Sequence, residues 1–372
     1  MTWKQWTEQE LEIVRAAGQW RAPRDFDAAG VEGKLGPDGQ PVVAFASNDY
    51  LGLTQHREVI AAAHHALDRW GTGSGSARLI VGTRPVHREL EEELADWRET
   101  EAATVFPTGF AANLGVLATF ADSETLVVSD ELNHASIIDG CRLARADVAI
   151  ARHGDPEHVD ELLKRASGRR AIVVTDAVFS MDGDLAPLNE LAEVCTRNGA
   201  LLVVDEAHSV ISPPVEYGEA EVLRVGTLSK TLGALGGFVA GPRAAVDLIV
   251  NRSRAYIFTT APTPADMAAA LAALKIVRSQ EGDALREILR SRVRQLQPEV
   301  KSPPSPIIPI WFGTEQATLS AAAALLEQGF LVPAIRPPTV PVGTSRLRIA
   351  LSATHSAEQV DALARALVAL RS

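Results

Sequence analysis

At 372 residues the chain exceeds one ordinary domain, and at roughly 150 residues per domain it has room for about two and a half. With 46% hydrophobic and 22% charged residues it has the profile of a globular protein, not of a disordered or fibrous one. A net charge of −11 with no relieving Lys/Arg run argues against nucleic-acid binding, and two cysteines without a CxxC pair exclude a disulfide framework or zinc cluster.

The N-terminus is charged from its first residues, and no run approaches the ~18 apolar residues that a membrane span needs. A soluble, unexported, cytoplasmic protein is expected. Trp3, Trp6, Leu11 and Val14 recur at roughly helical spacing, which predicts an amphipathic arm over 1–21. Gly36-Pro-Asp-Gly39 signals a turn before a short strand at 42–45. Apolar, β-branched runs then follow at 103–106, 126–129, 171–175, 201–205 and 222–225, with one more at 238–240. Helix-like segments at 88–98, 113–120 and 157–166 separate them. Runs that are apolar on both faces predict a mostly parallel sheet covered by helices. Two helices over 265–279 and 283–296 lead to a tail of strand (307–312), helix (317–328), strand (331–335), strand (346–351) and helix (357–370). Ser356 with Gln359 three residues on predicts a capping box for the last helix. The expected division is an arm (1–42), a large domain (43–268) and a small C-terminal α/β domain (269–372).

Five features follow apolar runs, and ligands of open α/β sheets lie outside the carboxyl ends of strands. In Phe106-Pro-Thr-Gly-Phe-Ala-Ala-Asn113 a strand ends, Gly109 permits a tight turn, and the N–H groups of a new helix can cradle an anion. His134 is either a satisfied, half-buried histidine or a flat ring stacked on a planar cofactor. The acidic run Thr175-Asp-Ala-Val-Phe-Ser-Met-Asp-Gly-Asp184 lacks the regular ligand spacing of a calcium loop, so no metal is expected. Asp205 ends a strand, with His208 three residues later. A carboxylate buried there needs a partner, either a structural salt bridge or a protonated pyridine nitrogen. Lys230 sits among Ser and Thr residues, as a solvated charge or as a nucleophile of lowered pKa. Together these residues make the set that pyridoxal phosphate requires: a Schiff-base lysine, an aspartate for the ring nitrogen and a phosphate turn.

Ser47-Asn-Asp-Tyr-Leu-Gly-Leu53, Gly71-Thr-Gly-Ser-Gly-Ser-Ala-Arg78, His134-Ala-Ser136, Val178-Phe-Ser-Met-Asp-Gly-Asp184, Asp205-Glu-Ala-His208 and Lys230 resemble the α-oxoamine synthases. These are fold-type I pyridoxal-phosphate enzymes, with a mostly parallel large-domain sheet and a smaller α/β domain. They join an amino acid to an acyl thioester with loss of carbon dioxide. The run from Ala334 to Arg348 is similar to the biotin-pathway member, which implies L-alanine and a pimeloyl thioester of coenzyme A or acyl carrier protein as substrates. Relatives using glycine, of the glycine C-acetyltransferase or 5-aminolevulinate synthase kind, are the alternative. A DNA-binding regulator on the same fold is disfavoured by the acidic chain and by the short stretch, about 40 residues, ahead of the first sheet motif.

The resemblance implies a role for each matching residue. Lys230 matches the Schiff-base lysine, Asp205 the partner of the pyridinium, and His134 the stacking ring and polarising group. His208 and Ser180 match the positions beside the cofactor's phenolic oxygen, while Gly109, Phe110 and Thr227 match the phosphate site. Thr259 and Thr260 match hydroxyls given to the neighbouring subunit's phosphate, which implies a homodimer with shared sites. Arg348 matches the arginine that pairs with the amino-acid carboxylate, and Arg21, Asn48 and Thr339 match substrate-side positions. The chain departs from the family after His208, where Ser209-Val-Ile-Ser-Pro-Pro214 replaces a glycine-rich loop and Lys230 follows after only 22 positions.

Overall fold

The computed structural model describes residues 1–165, 168–298 and 304–370, so Ala166, the expected end of one helix, lies outside the described residues. The chain divides into two compact units, one of Ser47–Ile308 with Ala350–Asp361 and one of Met1–Ala46, Pro309–Ile349 and Ala362–Ser372. These cuts fall elsewhere than 42/43 and 268/269. The larger unit is built on seven strands: β1 (Ala102–Phe106), β2 (Thr125–Asp130), β3 (Asp147–Ala151), β4 (Arg170–Asp176), β5 (Leu201–Asp205), β6 (Val222–Thr227) and β7 (Gly237–Gly241). Their order across the sheet is β3-β2-β4-β5-β6-β7-β1. All neighbours run parallel except β7, which is antiparallel to both β6 and β1.

Alternation along the central strands explains why they read as unbroken apolar runs. Leu126, Val128, Val173, Leu202 and Val204 point into a core with Leu188, Leu191 and Cys195 of the helix Leu188–Asn198. Val127, Ile172, Val174 and Val203 point the other way, toward Val116 and Leu117 of the helix Gly109–Phe120 and Ile137 of the helix Ala135–Ala144. Both faces are therefore covered, as a parallel sheet requires. The two cysteines lie one in each core, unpaired, and burial pushes their thiols up to about 11 at Cys141 and about 12 at Cys195. Strand β3 was not expected. It is an edge strand whose run Val148-Ala-Ile-Ala151 is as apolar as the others, but Val148 and Ile150 are exposed and only Ala151 is buried.

In the smaller unit the turn at Gly36 joins strands Glu32–Leu35 and Gln40–Ala44, and Phe26–Ala28 extends this antiparallel sheet. Phe330–Leu331 adds to it in parallel beside Gln40–Ala44. The single strand expected at 331–335 is two: Ala334–Ile335 pairs instead with Ser345–Ala350 in a second sheet. Pro333 lies between them and has no N–H to continue a ladder. N-terminal and C-terminal segments thus share one sheet, which no local pattern announces. The arm helix Trp3–Ala16 is present with a Thr2/Gln5 capping box, and its Trp3 is 82% exposed. Ser356 and Gln359 exchange the expected capping hydrogen bonds.

In the segment after β5, Glu206 is buried between Arg98 at 3.2 Å and Arg224 at 2.7 Å. Burial drives the Arg98 guanidinium below its ordinary pKa, and Glu206 opposes the shift. Removing the shared anion strands two cations in a low-dielectric site. Glu206→Ala is expected to lose about 3–5 kcal/mol of unfolding free energy in a denaturant titration. A loss below about 1 kcal/mol, the range of exposed pairs, would contradict this account.

Candidate functional site

The register of the parallel strands brings three aspartates to one edge of the sheet. Asp130, Asp176 and Asp205 end β2, β4 and β5, and Asp176 lies directly beside Asp205. Asp205 is 7% exposed. Its Oδ1 accepts the Ala207 N–H at 2.9 Å, and its Oδ2 accepts from Asn113 Nδ2 at 2.6 Å. Asp176 is buried more deeply, and its Oδ2 accepts the backbone N–H of His134 at 2.7 Å. Burial first, and the Asp205 charge second, push the Asp176 pKa well above the carboxylate range. Burial beside a second carboxyl thus favours the protonated form of Asp176.

His134 caps the helix Ala135–Ala144, with Nδ1 facing Ser136 Oγ at 2.8 Å. Its ring stays exposed on one side, and Phe110 meets it edge-on at 6.4 Å between ring centroids. The protein packed round the ring pushes its pKa below the ordinary value; Asp205 opposes this and the Lys230 charge assists. A neutral, flat ring is thus presented beside the buried carboxylate. Structural cap and stacking surface are compatible roles for it.

Lys230 is half-buried, and its Nζ donates to His208 Nε2 at 2.7 Å. His208 Nδ1 lies 2.5 Å from the Tyr50 hydroxyl, which donates to Asn48 Oδ1 at 3.0 Å. With Tyr50 donating onward, the network assigns the His208 proton to Nδ1 and leaves Nε2 as acceptor. Asn48 accordingly joins the lysine's polar chain. Ser180 sits half-buried on a loop closed by a bridge between Val178 and Leu185.

Between β1 and the helix Gly109–Phe120, Thr108 caps the helix through Ala111 N–H at 3.0 Å. A Cβ on Gly237 would meet Gly109 N at 2.5 Å, so β7 reaches the helix start only because glycine stands there. Thr227 lies against Gly109, and its hydroxyl is 2.8 Å from Ser229 Oγ. A helix N-terminus beside hydroxyls is an anion cradle.

A pyridine ring with a phosphate fits this arrangement: Lys230, Asp205 and His134 ring one buried corner, and the cradle supplies the phosphate site. The Asn113 amide oxygen, buried with no hydrogen-bond partner among the described residues, marks a polar group left for such an occupant. Tyr50, Asn113 and Asp176 were not singled out in the sequence. All three lie inside motifs quoted there, but their relevance is a matter of distance in space. Thr260 pairs with Ala77 at an isolated bridge, with Thr259 beside it. The other three expected residues belong to the smaller unit. Arg348 is buried there on its strand, whereas Arg21 and Thr339 line one cavity of about 580 Å³ with Arg24, Leu319 and Ile335.

Residues 40–367 match the family described as aminotransferase class I and II. An 8-amino-7-oxononanoate synthase of Anaeromyxobacter dehalogenans (strain 2CP-1) is 48% identical, over 98% of this chain and 95% of its own. One of Methylobacterium sp. (strain 4-46) is 44% identical over 93% and 94%. Among solved structures, a serine palmitoyltransferase from S. paucimobilis, with a bound PLP–myriocin aldimine, has a TM-score of 0.90 at 30% identity, covering 98% of this chain and 96% of that one. An 8-amino-7-oxononanoate synthase of Francisella tularensis has a TM-score of 0.74 at 25% identity, covering 88% and 96%.

The upward shift at Asp176 has a direct consequence. Asp176→Asn supplies a neutral side chain without having to hold a proton, and its amide oxygen can still accept from His134. Its melting temperature at pH 7 is expected at or above that of the parent chain. A drop of several degrees would mean that Asp176 is ionised.

Proposed function

The chain belongs to the aminotransferase class I and II family, and from that premise we propose that it condenses L-alanine with a pimeloyl thioester, releasing carbon dioxide and forming 8-amino-7-oxononanoate for biotin synthesis. It is a pyridoxal-phosphate acyltransferase by family and by its curated relatives. The observation that carries the reading is the Lys230–His208–Tyr50 chain set beside the buried Asp205. When bound, pyridoxal phosphate supplies an electron sink for the charge left at the amino acid's Cα.

The residues around that ring have separable tasks. Lys230 Nζ takes the Cα proton, and His208, accepting at Nε2, orients the amine for the transfer. Asp205 holds a proton on the ring nitrogen by presenting a charge that Asn113 and the Ala207 N–H keep in place. His134 offers its neutral ring to the cofactor face and polarises the thioester carbonyl. Gly109, Phe110 and Thr227 bind phosphate, and Ser180 with His208 faces the phenolic oxygen. Arg348 pairs with the alanine carboxylate, a task suited to a planar guanidinium fork. Asn48, through Tyr50, steadies the substrate side of the lysine chain.

The cavity of the smaller unit, lined in equal part by apolar and polar groups, supports the choice of acyl group. Leu319, Ile335 and their neighbours suit a methylene chain, and Arg21 and Arg24 suit a terminal carboxylate. The palmitoyl chain implied by the name of the serine palmitoyltransferase neighbour offers no such anion. Thr339 lines the same space. Exposed Leu79, Ile80, Val81 and Phe258 flank the Ala77–Thr260 bridge, and such an apolar patch suits a second copy. We assign the functional form as a cytoplasmic homodimer in which Thr259 and Thr260 serve the neighbour's phosphate site.

Lys230→Ala is expected to abolish both turnover and the visible absorbance of the cofactor-loaded enzyme; retained activity would sink the assignment. Steady-state assays should favour alanine with a pimeloyl thioester over glycine with acetyl-CoA or serine with palmitoyl-CoA. Preference for either of the latter pairs would overturn the substrate choice. Arg21→Ala should raise KM for the pimeloyl thioester by roughly tenfold to a hundredfold, the worth of one charged hydrogen bond, with kcat nearly unchanged.

A further inference from the structure

His153 follows β3, outside every motif used above, yet both of its ring nitrogens face carboxylates. Nδ1 lies 3.0 Å from Asp130 Oδ1 and Nε2 lies 2.7 Å from Asp184 Oδ2. Carboxylates only accept, so both contacts are hydrogen bonds only when both nitrogens carry protons and the ring is a cation. That ring also meets Phe179 in a T-shaped contact, with 4.4 Å between centroids.

The two anions belong to the two segments that carry site residues. Asp130 closes the turn leading to His134: its Oδ1 accepts the Leu132 N–H at 2.8 Å and its backbone oxygen the Asn133 N–H at 3.2 Å. Asp184 ends the loop bearing Ser180. On that loop's other side, Gly183 (φ +75°) leaves no room for a Cβ against Ile307 O, and its own oxygen accepts from Ser305 Oγ at 2.8 Å.

We propose that His153 is a positioning residue, an imidazolium clamp that ties the His134 turn to the Ser180 loop and so sets the two walls of the cofactor site. The proposal rests on the reading of that site given above. The charged groups facing the ring are Asp130 and Asp184, while Glu131 holds the His153 backbone N–H, and on its own segment Arg152 pairs with Asp155. Burial lowers the His153 pKa, but hydrogen bonds to Asp184 and Asp130 outweigh it and raise the value above the ordinary one. The clamp's contribution to stability is therefore full below the unfolded-state value near ~6.5 and is lost as pH rises through the folded one.

Imidazole NMR of the holoenzyme, with the His153→Gln spectrum as assignment, tests the cation directly. The His153 midpoint should lie above ~6.5 and should fall in Asp184→Asn. A midpoint at or below that value, or one indifferent to Asp184→Asn, overturns the clamp. Cofactor titration of the apoenzyme tests its purpose. His153→Gln should weaken pyridoxal-phosphate affinity about tenfold at pH 7, the worth of one charge-assisted hydrogen bond. The parent's margin over that variant should shrink as pH passes the His153 midpoint. Equal affinities or parallel pH profiles overturn the proposal. Lys230→Ala serves as the control, since an unchanged visible spectrum there would refute the reading of the site and leave the NMR result to judge the clamp alone.

Discussion

A negative charge buried at the carboxyl edge of a parallel sheet, that of Asp205, constrains everything placed near it. An isolated carboxylate in such a setting is costly unless it is paired or hydrogen-bonded. The chain meets that demand with the Asn113 amide and the Ala207 N–H. Neither is a cation, so the charge is stabilised without being neutralised. The neighbouring strand ends in another carboxyl, Asp176, and one edge cannot easily hold two such charges. Burial and the Asp205 neighbour push the Asp176 pKa upward, and its Oδ2 accepts the His134 backbone N–H. In the proposed site Asp205 meets a protonated ring, while Asp176 anchors the backbone at His134.

The same reasoning reconciles the overall charge with the chemistry. A chain of net charge −11 repels anions at long range, yet the cofactor's phosphate and the carboxylates of the proposed substrates are all anionic. In the proposed function attraction is left to short-range devices: a helix N-terminus, the buried Arg348 and the guanidiniums lining the smaller unit's cavity. Screening shortens the reach of the global field to about 8–10 Å at physiological salt, so local donors dominate once a ligand has arrived.

Much of this was legible along the chain. Strands β2, β4 and β5 announce themselves because both of their faces are buried, which turns alternation into continuous apolar runs. Strand β3 carries a short run of the same kind, Val148-Ala-Ile-Ala151, but lies at the sheet edge with most of it exposed. The stretch 331–335 misled because its residues favour strand on both sides of Pro333, and only pairing partners reveal that they enter different sheets. Lys230, Asp205, His134 and His208 stood out by residue type and by position after apolar runs. Tyr50, Asn113 and Asp176 did not, since tyrosine, asparagine and a strand-end aspartate are ordinary at such places until a partner stands beside them.

The sequence by itself determined the α/β class, the positions of most principal strands along the chain and the identity of the chemically distinctive residues. Those properties follow from periodicity, turn residues and side-chain chemistry, all of which are local. Only the tertiary structure decided that Tyr50 reaches His208 across 158 positions, that Asn113 reaches Asp205 across 92, and that strands from both ends of the chain share a sheet. It also set Asp176 beside Asp205 in a buried corner, which raises the Asp176 pKa. Protonation and pairing depend on distances and burial between residues remote in the chain, and no local pattern encodes a distance.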